Sequence, residues 1–144
     1  MRTGGKSRIF VEQMQERNFL SGAEFPWAKS PAFVLSLHDG EPEDAAGNLA
    51  NEVQYPGYQR ARLTRIKGGG WERRGNVVFN ANREQFTGLP VGSGMVVTHW
   101  ALSPEGFNYP LYVGEFDHLW FASNSRAETE PLDFPRGLIT VRES

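Results

Sequence analysis

The chain has 144 residues, a length typical of one domain, and its 15 basic and 17 acidic residues give a formal net charge of −2. This charge argues against a protein that binds nucleic acid by neutralising phosphates, so we expect no nucleic-acid partner. The absence of cysteine excludes disulfides and thiolate metal sites, and the polar first residues and the lack of an apolar run of about 20 residues predict neither a signal peptide nor a membrane span.

The first 30 residues predict a short helix followed by an arm. Ser7 is placed to cap the helix, and Gly22 lies just beyond its expected end, where a left-handed residue is favoured. The apolar face of this helix consists of Ile9, Phe10, Val11 and Met14. Residues 24–31 contain two prolines and are therefore not helical throughout. The aromatic residues of this stretch, Phe25 and Trp27, suggest an arm that makes contacts or a packed loop.

From residue 32 onward the apolar pattern becomes that of short β-strands separated by turns rich in glycine and proline. The expected strands cover residues 32–37, 58–66, 71–80, 94–103, 111–116, a further apolar piece around His118 to Phe121, and 137–141. This pattern favours an antiparallel β-sandwich or barrel. We predict a mainly β protein in which residues 31–144 form a jelly-roll-like sandwich and residues 1–30 form a helix and an extended arm.

Histidines are the first candidates for metal binding or catalysis. His38, His99 and His118 are never closer than 19 positions in the sequence, and the His-x-His pair typical of cupin-like metal sites is absent. A sandwich can still bring distant residues together, but separate hydrogen-bonded or surface histidines are the favoured interpretation.

Carboxylates offer a second possible site. The acidic loop after residue 38 contains potential ligands for a hard cation such as Ca²⁺, namely Asp39, Glu41, Glu43, Asp44 and Asn48, but not in the order of an EF-hand. Glu115 and Asp117 share one strand face, and a glycosidase would need two facing carboxylates about 5 to 10 Å apart. Acidic, solvated residues are the favoured interpretation. The serine motif of a nucleophile elbow is absent, and Lys67 precedes its glycines, unlike the lysine of a phosphate-binding loop. We therefore predict no catalytic residue, no metal and no cofactor.

Arginine and tryptophan are more informative, because both are enriched where proteins contact each other. Twelve of the fifteen basic residues are arginine. We expect Trp100 to pack in the core. The candidate contact residues are Phe25, Trp27, Arg60, Arg62, Arg65, Trp71, Arg73 and Arg74. For the arginines, a polar sheet face and a surface for an acidic partner both remain possible.

The ordered motifs of this chain resemble those of a family of small structural proteins of tailed bacteriophages. The segments that carry the likeness are "FVLSLHDGEP", "YPGYQRARL", "VVFNA", "VVTHWALS", "LYVGEF" and "GLITV". They correspond to a "Y-x-R" strand, a "VTHWAL" strand and an "L-Y-x-G" strand of the family. The likeness extends from about Phe33 to Val141 and rests on the apolar pattern together with these short motifs.

This resemblance implies a non-enzymatic virion protein, assembled in the host cytoplasm, whose partners are the major capsid protein and copies of itself. A capsid cement or decoration protein is the expected role, as a homo-oligomer or bound to the lattice. The family's motif residues then have structural roles: His38, Asp39, Tyr58, Arg60, Thr98, His99 and Tyr112.

Three alternatives remain. The first is a tail, neck or fibre-attachment protein. The second is a carbohydrate-binding module that uses Trp27, Trp71 and either Glu115 or Asp117. The third is an enzyme, which would require the histidines or a carboxylate pair to converge in a pocket.

Overall fold

The protein is mainly β, with antiparallel sheets and one short N-terminal α-helix, as the sequence predicts. A computed structural model describes residues 4–66, 68–90, 93–116, 121–122 and 132–142, with backbone alone for 121–122. The elements, in chain order, are β1 (Gly5–Lys6), α1 (Arg8–Gln15), a π-helical turn (Glu16–Leu20), β2 (Ala32–His38), β3 (Ala61–Thr64), β4 (Trp71–Arg74), β5 (Val77–Asn80), β6 (Glu84–Phe86), β7 (Val96–Val97), β8 (His99–Pro104), β9 (Tyr112–Glu115), β10 (Phe121–Ala122), β11 (Leu132–Phe134) and β12 (Thr140–Arg142).

The largest sheet has five strands in the order β1-β9-β8-β2-β3. Leu35 pairs with Leu102 and Leu37 with Trp100, so their side chains share the apolar face of this sheet. On the other face, His38 lies opposite His99. The strict alternation of β2 and β8 therefore separates an apolar side from a side of small and polar residues.

Three smaller antiparallel sheets accompany the large one: β12-β5-β4, β11-β6 and β10-β7. They contribute to the same apolar core as the large sheet, through residues such as Phe86, Phe134 and Val141. The core is thus shared between the sheets, and Trp100 lies within it with no exposed surface, as predicted.

Helix α1 begins after the predicted cap Ser7, but it ends at Gln15, and a π-helical turn continues to Leu20, just before the expected end at Gly22. The Ser7 hydroxyl oxygen accepts a hydrogen bond from the Phe10 N–H at 3.1 Å and donates to the Pro110 carbonyl at 2.6 Å. The cap therefore also fastens the helix to the segment before β9. Gly22, two residues after the π-helical turn, has the expected left-handed conformation with φ +70°.

The expectation of one strand over residues 71–80 is wrong, because these residues form a hairpin of two strands, β4 and β5. Arg74 pairs with Val77, and the two residues between them, Gly75 and Asn76, form the turn. Gly75 has φ +63°, a conformation that glycine adopts without strain at the first central position of a two-residue hairpin turn. The Gly-Asn pair is the local signal for this turn.

Other strand boundaries also differ from the sequence-based ones. The strand expected at 58–66 is shorter, and the one expected at 94–103 is divided at Thr98, because β7 pairs with β10 whereas β8 pairs with β2. Strands β1, β6 and β11 are not predicted from the sequence, since two or three residues carry too little periodicity. Of the apolar piece expected around 118–121, residues 118–120 lie outside the described part of the chain.

The close approach of Gly114 to the Trp100 indole makes the first testable prediction. A Cβ added at Gly114 would overlap the ring, so Gly114→Ala should lower the free energy of unfolding by about 1–3 kcal/mol, the usual cost of overpacking. Gly5→Ala is the matched control, because a Cβ there meets open space. Urea denaturation measures both variants, and equal stabilities would contradict this packing.

Candidate functional site

The two aromatic contact candidates of the arm pack against their own chain. Trp27 is only 7% exposed, and its indole N–H donates a hydrogen bond to the Gln13 side-chain oxygen at 2.8 Å. Phe25 is half-buried and stacks on Trp27 with ring centroids 4.9 Å apart, while the Arg17 guanidinium lies 4.9 Å from the Phe25 ring centroid. Trp27 is therefore covered by α1 and the arm, as a packed loop would place it, and its role as a contact residue stays a prediction.

Arg65 holds this arm against the large sheet. Its guanidinium lies 5.1 Å from the Trp27 ring centroid and 5.0 Å from that of Phe33. It also donates hydrogen bonds to the backbone carbonyls of Ser30, at 2.7 Å, and Trp27, at 3.3 Å. Arg65 thus ties the end of β3 to the arm, and its charge is used within the chain rather than offered to a partner.

Arg60 belongs to a partly buried network with Glu52 and Tyr58. Arg60 donates two hydrogen bonds to the Glu52 carboxylate, at 2.8 and 2.6 Å, and Tyr58 donates a third at 2.6 Å. The Tyr58 oxygen in turn accepts the Leu37 N–H at 3.1 Å. Burial acts to raise the pKa of Glu52, but the hydrogen bonds from Arg60 and Tyr58 outweigh it, and the pKa lies below its ordinary value.

Arg62 is also paired within the chain, on the outer side of the large sheet. Its guanidinium donates to both carboxylate oxygens of Glu105, at 2.5 and 3.3 Å. The pair is exposed, so it contributes little to stability in water. Three of the five candidate arginines, Arg60, Arg62 and Arg65, are therefore engaged internally.

The remaining contact candidates lie on the β4–β5 hairpin. Trp71 is half-buried at the edge of the core, 6.4 Å from the Phe33 ring centroid, and its buried indole N–H has no hydrogen-bond partner among the described residues. Arg73 and Arg74 are exposed at the hairpin end. Within the described part of the chain, neither side chain makes an ion pair or a hydrogen bond.

The buried histidine, His38, pairs with a serine. His38 Nδ1 lies 2.7 Å from the Ala50 carbonyl oxygen, and its Nε2 lies 2.7 Å from the Ser36 hydroxyl. Because a carbonyl only accepts, Nδ1 carries the proton and Nε2 accepts from Ser36. Burial lowers the pKa of His38 and so favours the neutral ring. Ser36 is 1% exposed and His38 is fully buried, so this couple serves the fold and has no access to a substrate.

The other candidate ligands do not converge. His99 lies beside Thr98, with 2.8 Å between Nδ1 and Oγ1, and 3.8 Å from the Glu41 carboxylate. In the acidic loop, Asp44 accepts two backbone N–H groups and Glu43 contacts Arg8. No group of three or more potential ligands occurs among the residues that the structure describes. His118 and Asp117 lie outside those residues.

The sequence patterns miss two exposed features. Phe19 and Leu20, on the π-helical turn, are 81% and 76% exposed. Arg142 on β12 is exposed beside the β4–β5 hairpin, opposite Val77. The sequence does contain a signal for Phe19 and Leu20. Both are large apolar residues that follow the predicted apolar face of α1 but do not continue its spacing. Arg142 requires the pairing of β12 with β5, which the sequence does not show.

Comparison with known proteins leaves the family open. Neither a protein-family model nor a curated protein matches the sequence. Within the described residues, the helices are too short and too polar to cross a membrane. The likeness to phage structural proteins between Phe33 and Val141 therefore stays a prediction.

The buried His38 predicts a dependence of stability on pH. Its folded-state pKa lies below the ordinary value of 6.5, so below that pH the unfolded chain binds more protons than the folded one. The free energy of unfolding should fall as the pH is lowered from 7 to 5, by at most about 1.4 kcal/mol per pH unit for this group. Urea denaturation at several pH values measures the slope.

His38→Gln is the informative variant for this prediction. It removes the titrating ring, so the slope between pH 6.5 and 5 should become flatter than in the unchanged protein. The comparison separates His38 from Glu84, whose burial raises its pKa above 4.5 and acts in the opposite direction. Parallel curves for the two proteins would show that His38 titrates normally.

Proposed function

We propose that the chain is a structural protein of a tailed-phage particle and not an enzyme. Its most suitable role is that of a capsid cement or decoration protein, incorporated into the virion during assembly in the host cytoplasm. The resemblance from Phe33 to Val141 supports this proposal, and the mainly β fold is compatible with it. The partners would be the major capsid protein and further copies of this chain.

The observation that carries a binding role is the exposed apolar surface of the N-terminal helical segment. Val11, Phe19 and Leu20 are 41%, 81% and 76% exposed. Val11 and Phe19 also line a groove of about 270 Å³, together with Lys6, Met14, Gln15 and Asn18. A large apolar side chain at such exposure gains free energy when a partner covers it. We call Val11, Phe19 and Leu20 the helical patch.

The size of the helical patch suits binding to a lattice. Stable interfaces bury on the order of 800 Å² on each partner, and three side chains supply only part of this area. One copy is therefore expected to bind weakly through the patch alone, and additional contacts on an assembled shell would be needed. Binding that favours the assembled lattice stabilises it by mass action.

The proposal also includes a jelly-roll-like stacking of the sheets, which their shared core supports.

The polar clusters of the described residues fit a binding role better than catalysis. The Ser36–His38 couple is closed off from solvent, and the Glu52–Arg60–Tyr58 network is satisfied internally. A carbohydrate-binding role would need exposed rings for stacking, whereas Trp27 is covered and Trp71 borders the core.

The test uses phage heads that lack the protein. Added protein should bind the heads and raise their melting temperature, whereas a Phe19→Ser/Leu20→Ser variant should bind at least about tenfold more weakly, since burying each side chain contributes about 1.5–3 kcal/mol when complete. Co-sedimentation and differential scanning calorimetry measure both effects. Ile66→Ser is the matched control, because Ile66 is 67% exposed but lies outside the helical patch.

Two results would contradict this proposal. Heads that neither bind the protein nor melt at a higher temperature would exclude a cement role. Immunogold label confined to the tail or neck of native particles would assign the protein to that location instead.

A further inference from the structure

The β4–β5 hairpin ends in a concentration of positive charge. Arg73 and Arg74 are the last residues of β4, directly before the Gly75–Asn76 turn. Arg142 joins them from β12, because Val77 pairs with Arg74 on one side and with Arg142 on the other. Three exposed guanidinium groups therefore lie at one end of a three-stranded sheet, in a chain whose formal net charge is −2.

These three arginines differ from the others that the structure describes. Arg8, Arg60, Arg62, Arg65, Arg83 and Arg136 each make hydrogen bonds or ion pairs within the chain, and Arg17 lies over the Phe25 ring. By contrast, the side chains of Arg73, Arg74 and Arg142 contact no acidic group among the described residues. Among the described residues, their charge is therefore not neutralised by an acidic partner.

Arg73 and Arg74 point to opposite faces of the hairpin, since neighbouring residues of a strand alternate. Arg73 shares a face with Trp71 and Val78 and lines a groove of about 660 Å³. Arg74 shares the other face with Val77 and Arg142. The hairpin end is thus cationic on both sides, and we call Arg73, Arg74 and Arg142 the basic wedge.

We propose that the basic wedge inserts into an acidic cleft formed between neighbouring coat subunits. This inference rests on the proposed function and adds the site of contact and the chemistry of the partner. A flat acidic surface can satisfy only one face of the hairpin, whereas a cleft with carboxylates on both walls pairs with Arg73 on one side and with Arg74 and Arg142 on the other. Guanidinium groups form two hydrogen bonds with a carboxylate in such pairs.

A cleft between subunits has a further consequence, which is selectivity for the assembled shell. Its two walls come together only when neighbouring subunits are in place, so a free coat subunit offers one wall and half of the ion pairs. An acidic protein surface fits this arrangement better than a nucleic acid does, because the negatively charged chain would be repelled by phosphates beyond the hairpin.

The experiment compares binding of the full chain to assembled heads, to dissociated coat subunits and to double-stranded DNA, at low and physiological salt. Arg73→Gln and Arg74→Gln are each expected to weaken binding to heads about tenfold or more and to reduce its salt dependence, as for the loss of a charged hydrogen-bonded pair. Arg62→Gln is the matched control, because it removes the same charge from an exposed pair with Glu105 and should change binding by less than about threefold.

The outcomes separate this inference from the proposed function. Two results would contradict the proposed role of the basic wedge and leave the cement role in place. In the first, the unchanged protein binds heads and both hairpin variants bind them equally well. In the second, the unchanged protein binds free coat subunits as tightly as heads. If double-stranded DNA at the same concentrations displaces the protein from heads, the partner of the basic wedge is a nucleic acid and not an acidic cleft. If the unchanged protein does not bind heads at all, both proposals fail. Thermal denaturation of each variant confirms that it is folded.

Discussion

The position of Trp100 constrains much of this structure. Its indole is fully buried, and a Cβ on either Gly4 or Gly114 would overlap it, so two backbone segments lie directly against the ring. Gly114 belongs to β9, and Gly4 precedes β1 and donates its N–H to the Thr140 carbonyl at 2.8 Å. The ring therefore lies where the large sheet, the N-terminal strand and β12 meet. Glycine is required at both positions because only backbone fits so close to the indole.

Several polar groups near this centre are partnered within the fold. The loop after β2 returns to the polar face of the large sheet, where the Ala50 carbonyl meets His38 and Glu52 receives Arg60 and Tyr58. Such groups are buried at low cost only because each has a partner. Two exposed features of the described residues stand apart from these partnered groups: an apolar patch on a helical turn and a charged hairpin. Both are the surfaces on which the proposed binding role rests.

The sequence predicts some of this well, for physical reasons. The Ser7 cap and Gly22 are local signals and agree with the structure, and short strands between turns indicate the antiparallel β class. The hairpin turn at Gly75–Asn76 has a local signal of the same kind, although the apolar pattern of residues 71–80 favours a single strand.

The engagement of the arginines is not predictable from the sequence. Arg62 and Glu105 are 43 positions apart, and Trp27 is buried through contacts with Gln13 and Arg65. Such pairings depend on tertiary structure, so sequence patterns can nominate the eight contact residues but cannot separate Arg73 and Arg74 from the others.

The π-helical turn at Glu16–Leu20 accommodates one extra residue in the N-terminal helix. Its hydrogen bond from the Ser21 N–H to the Glu16 carbonyl spans five residues instead of four, which amounts to one residue inserted into an α-helix. The wider turn keeps Phe19 beside the groove that Val11 lines. Removal of a single residue from the turn would restore an α-helix in which Phe19 follows Val11 by seven positions, almost two full turns, so both side chains would still share one face. The π-helical turn thus tolerates a change of helix length by one residue, because it absorbs the extra residue locally and leaves Phe19 and Val11 beside the same groove.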